Sequence, residues 1–562
     1  MNAPAPRYET QIAYHRRRAE ELRQVRQPWE SVWQPLAEFI EPTRLRLNTR
    51  REGFISRDKI IDSAGTFAHR TLKSGMHSGI TSPARPWFRL TTYDPDLKDF
   101  APVKAYLAAV EQRMREVFQS SNLYSAFHTG YGDLGQFGQS VGILAEDDMS
   151  VIRMQQLVHG RFWIARDHTG RLTTLYRQFR WSVQRIVERF GYKNVSDRIR
   201  TLYDTSKYDE AFDIWHAIEP RHVRNPNSIA KQDKPFLSNY WEDQGGEGKL
   251  LEESGFDENP LIGPAWELTE DDHYGTSPGQ IALGDVRMLQ KEQTRKLEAI
   301  DKLVRPPMTG PTSMRNNPAS LLPGSITYVD DPTGKGYRAA MEVRVSIAEL
   351  AADIREVKDM INRAFYADLF LMLANMEGIQ PRNTFEIAER KEEKLLALGP
   401  VLENVYAGQL EPTIDRAFAI LNRRGELPPP PPDLKGQELK IEYTSILAQA
   451  QKAVATGAIE RGYAFAGQLA AVKPDVLDKL DADEAIDLYF DYLGVPPSAV
   501  VPDDKVAAIR DARAQKQAAA ENAEMLATTA PAAKAGAEAA AVLAGAQNNP
   551  GAGALLQQIG IA

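Results

Sequence analysis

The stretch from Ser277 to Glu377 limits the folds open to this chain more than any other. It holds two long helical patterns around a proline- and glycine-rich insert. In the second, Ile347, Leu350, Ile354, Val357, Ile361 and Ala364 recur at alternating spacings of three and four, an apolar seam of the coiled-coil type. The first is looser, with Val286, Leu289, Leu297, Ile300 and Val304 on its apolar side. At a rise of about 1.5 Å per residue, residues 277–304 and 346–377 make rods of roughly 40 and 48 Å. Residues 305–345 between them carry Pro306, Pro307, Pro311, Pro318, Pro323 and Pro332, with strand candidates at 325–329 and 341–345. The pattern predicts a small β-containing knob on a helical stalk.

Such a stalk needs a base. At about 150 residues per domain, a chain of 562 residues has room for three to four structural units. Hydrophobic residues at 43% and charged residues at 26% are ordinary globular usage, so the bulk folds. Ahead of the stalk the patterns are mixed. Arg16, Arg17, Arg18, Arg23 and Arg26 accompany Ile12, Leu22 and Val25 at helical spacing, which reads as a solvated helix face. Pro28, Pro35 and Pro42 then punctuate Trp29, Trp33 and Phe39, predicting short packed helical pieces. Helices are expected over 62–80, 102–119, 124–142 and near 183–190, and strands at 87–90, 162–165 and 172–176 around a turn at 167–170. Past the stalk, a breaker at 378–381 precedes a helical stretch over 385–424, which Gly425 and the rigid spacer Pro428–Pro432 end. A strand at 439–443 and Ala-rich helices to about 525 follow, and 526–562 reads as a mobile tail. The expected class is α+β, predominantly helical.

Composition excludes several functions. Zero cysteines rule out a disulfide framework, a thiolate zinc site, an Fe–S cluster and a cysteine nucleophile. The N-terminus lacks the apolar core of a signal peptide, and no run approaches 18 apolar residues, so neither secretion nor a membrane span is expected. A net charge of −8 is wrong for a protein that neutralises many phosphates, so any DNA contact is local or transient.

The motifs that resemble catalytic ones read better as structure. Gly130-Tyr131-Gly132-Asp133-Leu134-Gly135 matches G-x-G-x-x-G but follows a helical run rather than a strand, so close helix packing explains it. Gly275-Thr276-Ser277-Pro278-Gly279 matches a nucleophile elbow. Pro278, however, lacks the N–H that the oxyanion hole needs, so Ser277 reads as a helix N-cap with Pro278 first in the helix. There is no phosphate-binding P-loop and no H-E-x-x-H, and the nine histidines lack metal spacing. Asp481 to Asp487 lacks the glycine and the distal Glu of a calcium loop and reads as an acidic helix start. No cofactor is expected. The residues alone point to a structural or binding protein.

Several segments follow one another in a telling order. They are Asp62-Ser63-Ala64-Gly65 through Leu72, Gly75, Gly79–Pro83 and Pro86-Trp87-Phe88; the glycine cluster of 131–142; His273–Pro278 leading into the long helix; Arg305-Pro306-Pro307; and 506–517 with Ile509-Arg510-Asp511-Ala512-Arg513-Ala514-Gln515. Over roughly residues 10–525 this order resembles the head-to-tail connector, or portal, proteins of short-tailed double-stranded DNA phages. Arg382-Asn383-Thr384-Phe385-Glu386 departs from the stretch that family members often carry before the helix after the stalk.

The resemblance implies a structural protein rather than an enzyme, forming a ring of twelve copies at one capsid vertex, the channel for genome packaging and ejection. It implies a wing over 1–276, stem helices over 277–304 and 346–377, a clip over 305–345 and a tunnel loop over 378–385. Residues 386–444 would connect wing and crown, 445–525 form the helical crown and 526–562 the flexible tail. Lys291, Arg295, Lys296, Gln380, Arg382 and Asn383 are the expected channel residues. Arg305, Met314, Arg315, Tyr328, Lys335 and Tyr337 are the expected clip contacts. The implied partners are copies of the chain, double-stranded DNA, the terminase large subunit, the tail adaptor, the major capsid and scaffolding proteins and internal ejection proteins, in a virion assembled in the host cytoplasm. The rival readings are another self-assembling virion or tail protein, a serine hydrolase using Ser277, and a nuclease built on Asp271 and Asp272.

Overall fold

The computed structural model describes residues 10–47, 57–94, 97, 100–243, 249–270, 272–306, 308–309, 338–339, 346–374, 398–434, 439–444, 459–460, 462–470, 473–493, 501 and 505–518. The chain divides into two units, residues 1–454 and 455–562.

The larger unit opens with α1, Gln11–Phe39, which runs unbroken through Pro28 and Pro35. This corrects the expectation of short pieces. A proline inside a helix costs about 3 kcal/mol by removing one N–H and crowding the preceding turn. The buried face of α1, Ile12, His15, Ala19, Leu22, Arg26, Trp33 and Leu36, keeps helical spacing across both prolines. Each large apolar side chain so buried returns about 1.5–3 kcal/mol. Arg26, read as part of a solvated face, is also buried: it donates to the carbonyls of Gly160 (3.0 Å) and Phe162 (2.7 Å) and pairs with Glu30.

Next come α2 (Ala64–Ile80), β1 (Phe88–Thr92), α3 (Ala101–Ser120) and α4 (Leu123–Phe137). The G-x-G-x-x-G glycines lie inside α4, where a Cβ on Gly135 would sit 2.5 Å from Leu72 and one on Gly132 2.9 Å from Lys73. They let α2 and α4 approach closely, as expected. Helix α4 stops at Gly138, five residues short of the expected end. Gly138 has φ +85°, and any Cβ there would meet the Gly275 carbonyl at 2.1 Å.

Strands β2 (Gly142–Asp147) and β3 (Val151–Gln156) form a hairpin, which β9 (Leu261–Ile262) joins. Strands β4 (Phe162–Arg166), β5 (Leu172–Ser182), β6 (Ala211–Pro220), β7 (Phe236–Glu242) and β8 (Glu252–Phe256) form an antiparallel five-stranded sheet in sequence order. Helices α5 (Val183–Phe190) and α6 (Asp197–Asp204) fill the connection between β5 and β6. The N-terminal half of α1 packs on the sheet through Ile12, Ala19, Leu22, Trp163, Tyr176 and Trp241.

The stalk helices are α7 (Pro278–Val304) and α8 (Ile347–Ala364). Met308–Thr309 (β10) pairs antiparallel with Arg338–Ala339 (β11). The expected strands at 325–329 and 341–345 and the helix start at 385 lie outside the described residues. The second stalk pattern does not continue as one helix to 377. It breaks at Phe365 and Tyr366, the latter at φ +54°, before α9 (Ala367–Ala374). Burial decides this: Phe365 is wholly buried, and Phe370 lies so close to Gly75 of α2 that an added Cβ would be 2.1 Å from its ring. Residues 398–405 are helical, a π-turn follows at Tyr406–Leu410, and α10 (Glu411–Arg423) completes the helical layer. Strand β12 (Leu439–Tyr443) pairs with β1, Phe88 opposite Tyr443.

In the smaller unit, Asp481 caps α11 (Ala482–Leu493), accepting from the N–H groups of Asp483 and Glu484 at 3.1 Å each. That is the acidic helix start read from the sequence. Residues 526–562 lie outside the described residues.

Candidate functional site

The stalk is rooted by Ser277. Its Oγ accepts from the N–H of Gln280 (3.1 Å) and donates to the Gln136 carbonyl (2.9 Å). Pro278 is first in the helix, and Gly279 passes so close to Gln136 that a Cβ would meet its carbonyl at 2.8 Å. The Ser277 hydroxyl is therefore buried and committed at both ends, which removes the serine hydrolase reading. Asp272, one of the two carboxylates of the nuclease reading, is exposed, and Asp271 lies outside the described residues. Among the described residues no three His, Asp or Glu side chains gather to hold a metal ion, and no helix is long and apolar enough to cross a membrane.

The seam between α7 and α8 closes on Val286 and Leu289 from one side and Ile354, Val357 and Ile361 from the other, all buried. Polar anchors lie beside it. Gln290 Oε1 accepts from the N–H groups of Ile61 (2.7 Å) and Asp62 (2.8 Å), while Gln293 donates to Asp62 Oδ2 (2.7 Å). Lys358 of α8 reaches the same carboxylate at 2.8 Å. Burial alone would raise the Asp62 carboxyl, but the hydrogen bonds from Lys358, the Ala64 N–H and Gln293 outweigh it and hold the group below its usual range. Asp62 thus ties both stalk helices to the start of α2. In the sequence Asp62 reads as a helix start and as part of the segment order the family shares; a carboxylate just before a cap gives no sign that it also clamps side chains some 230 and 300 residues away.

Toward its far end the stalk is open. Leu297 is 58% exposed and Val304 72%, and Ile281 near the root is 75% exposed. The expected channel residues Lys291, Arg295 and Lys296 stand together on α7. Lys291 and Arg295 are exposed and Lys296 is partly covered. Helical spacing sets Lys291 half a turn from the buried Val286 and Leu289, so it faces away from α8, whereas Lys296 lies on the α8 side. Arg305 is exposed at the C-terminus of α7, its N–H bonded to the Asp301 carbonyl (2.7 Å), about 15 Å along the axis from Arg295. Gln380, Arg382, Asn383, Met314, Arg315, Tyr328, Lys335 and Tyr337 lie outside the described residues.

The comparisons with known proteins agree in kind. A family described as bacteriophage head to tail connecting protein matches residues 14–501. The chain is 43% identical over 508 residues to the portal protein of Salmonella phage epsilon15, covering 89% of this chain and 91% of that one. It is 43% identical over 511 residues to the probable portal protein of Bordetella phage BPP-1, covering 90% and 92%. Among solved structures, a chain of the virion of the native gene transfer agent (GTA) particle aligns with a TM-score of 0.36 at 12% identity, covering 80% of this chain and 96% of that one; nothing is built on so slight a likeness.

Proposed function

Because the chain belongs to the bacteriophage head-to-tail connecting family, in which it is a portal protein, we propose that it forms a ring of twelve copies at one capsid vertex. Through that ring the terminase motor drives the genome into the head, and through it the genome later leaves. One observation carries the reading: 43% identity to a portal protein across 89% of this chain and 91% of that one. The similarity takes in base, stalk and the chain beyond it, so it does not rest on one shared domain. The family match also displaces the alternative of another virion or tail protein.

Physical features support the same reading. The apolar groups that α7 leaves exposed in a single copy, Ile281, Met288, Leu297, Leu303 and Val304, gain burial when copies stand side by side. The net charge of −8 suits a channel through which DNA must slide, because each neutralised phosphate adds affinity and a ring multiplies the count. In this reading 1–276 is the wing, α7 and α8 the stem, 305–345 the clip that meets the terminase and then the tail adaptor, 378–385 the tunnel loop and 445–525 the crown. The clip contacts are Arg305, Met314, Arg315, Tyr328, Lys335 and Tyr337. The capsid, scaffolding and internal ejection proteins adjoin the ring, which assembles in the host cytoplasm.

Lys291 and Arg295, with Lys296, Gln380, Arg382 and Asn383, supply weak phosphate contacts in the channel. Particles carrying Lys291→Ala with Arg382→Ala are expected to show a several-fold change in the fraction filled with DNA or in the rate of DNA release. Filling and release equal to the parent would remove these residues from the channel.

A further inference from the structure

The two stalk helices form a pair with two unlike edges. Asp353 of α8 lies close enough to Glu292 of α7 that its charge acts on the Glu292 carboxyl, which burial and then this like charge hold above the usual range. Glu292 Oε2 is buried and has no hydrogen-bond partner among the described residues. Glu356, one turn from Asp353, is exposed beside it. Asp285 and Glu349 continue the same side of their helices at helical spacing, with Lys296 one turn from Glu292 among them and Arg295 between this side and the back of α7. This edge is acidic, and within one copy its carboxylates at Glu292 and Asp353 repel.

The opposite edge is marked by Asp62, which Gln290 and Gln293 of α7 and Lys358 of α8 all reach. With Lys358 already paired, its remaining cations are Arg355, exposed on α8 with the exposed Asp359 one turn on, and Arg287, exposed on α7 with its guanidinium 5.7 Å from the Phe39 ring and Lys291 one turn on toward the back of the helix. Residues 290–293 of α7 stand level with 353–358 of α8, as the Glu292–Asp353 proximity and the shared Asp62 contacts require. The acidic and basic clusters therefore occupy one level of the stalk, on opposite sides.

We propose that these edges mate between successive copies, Glu292, Asp353 and Glu356 of one facing Arg287 and Arg355 of the next. This deepens the ring reading and rests on it. A surface whose two edges differ makes a head-to-tail contact, the kind that closes into rings rather than stopping at a dimer. Rotation about an axis along the stalk keeps each level at its height, so equal levels are what such a contact needs. With both edges engaged, the back of α7, where Lys291 stands, and the back of α8 remain free.

Two charge-reversed chains test this. In the first, Asp353→Lys with Glu356→Lys makes both edges basic; in the second, Arg287→Glu with Arg355→Glu makes both acidic. Each alone is expected to lose assembly at least tenfold at low salt, judged by light scattering, with parental helix content and melting. Mixed in equal amounts, they are expected to assemble as alternating copies. Should Arg287→Glu disturb the contact with Phe39 and lower the melting temperature, Arg355→Glu alone takes its place. Assembly of either variant like the parent, or failure of two folded variants to assemble when mixed, would overturn the pairing and leave the ring intact. A parent chain that never assembles would overturn the ring itself.

Discussion

Replacing Asp133 by alanine is expected to destabilise the larger unit by about 3–5 kcal/mol, the usual result of removing one partner from a buried ion pair. Asp133 is fully buried in α4. Its carboxylate accepts from Arg44 Nε at 2.7 Å, from Arg44 Nη2, and from Gln156 Nε2 at 3.2 Å. Burial pulls the Arg44 guanidinium down, but the Asp133 charge and hydrogen bond outweigh it and hold the group above its usual range. Alanine would strip that cation of its counter-charge, leaving it the Leu157 carbonyl (3.1 Å), and would leave the Gln156 amide Ser140 Oγ alone (2.9 Å), between the turn after α1 and the β2–β3 hairpin. Urea unfolding of Asp133→Ala reads the loss. Arg44→Met with Asp133→Leu is expected to recover most of it, because an apolar pair of similar volume removes both desolvated charges at once. Parental stability of Asp133→Ala would show that the pair holds nothing together.

Glu219→Gln is expected to stabilise the chain by up to about 3 kcal/mol above pH 7 and to change little below pH 4.5. Glu219 lies on β6 beneath the N-terminal half of α1, in a buried relay. Asn239 donates to His15 Nε2 (3.0 Å), which places the His15 proton on Nδ1 toward Tyr176 Oη (2.9 Å), and Tyr176 donates to Glu219 Oε2 (3.2 Å). Burial pushes the Glu219 carboxyl up to about 7 against the hydrogen bonds from Tyr176 and Tyr14 and the charge of Arg18. The folded chain therefore holds this proton where the unfolded chain has released it. Its contribution is full below the ordinary carboxylate range and is lost as pH rises toward 7. His15 runs the other way. Burial, with the Arg221 charge, draws it down to about 4, so its contribution is present above pH 6.5 and lost as pH falls toward 4. Between about 4.5 and 6.5 the two slopes oppose each other, and Glu219→Gln exposes that of His15. Unfolding free energies of parent and variant across pH 4–8 give the Glu219 curve by difference; a flat difference would contradict it.

Local features of the stalk were legible in the sequence. Of the seam residues, Ile354, Val357 and Ile361 are buried, Leu350 and Ala364 half-buried and Ile347 exposed, and Ser277 caps the helix that Pro278 begins. The run at 183–190 and the strand at 439–443 have their expected bounds, since local periodicity and flanking turns decide both. What depends on distant partners was not legible. Tyr366 turns the chain because Phe365 and Phe370 are drawn into the core, yet Leu369 and Leu371 continue an apolar pattern that reads as unbroken helix. Prolines 28 and 35 signal breaks that packing along α1 overrides. Nothing near residue 440 announces that its strand partner is at 88–92, and nothing in the α4 glycine motif marks Asp133 as a core carboxylate. The stalk cations were readable as residues, but which edge carries which charge needed the packing of α7 on α8.

The mass and shape of the purified chain, by light scattering on a sizing column followed by negative-stain imaging, test the central claim most directly. Twelve copies of a 62.8 kDa chain make a particle of about 750 kDa, and the account predicts rings of that mass with an axial hole wide enough for a DNA duplex. Compact particles without an axial hole, or a monomer that stays monomeric at every concentration and salt tried, would contradict it.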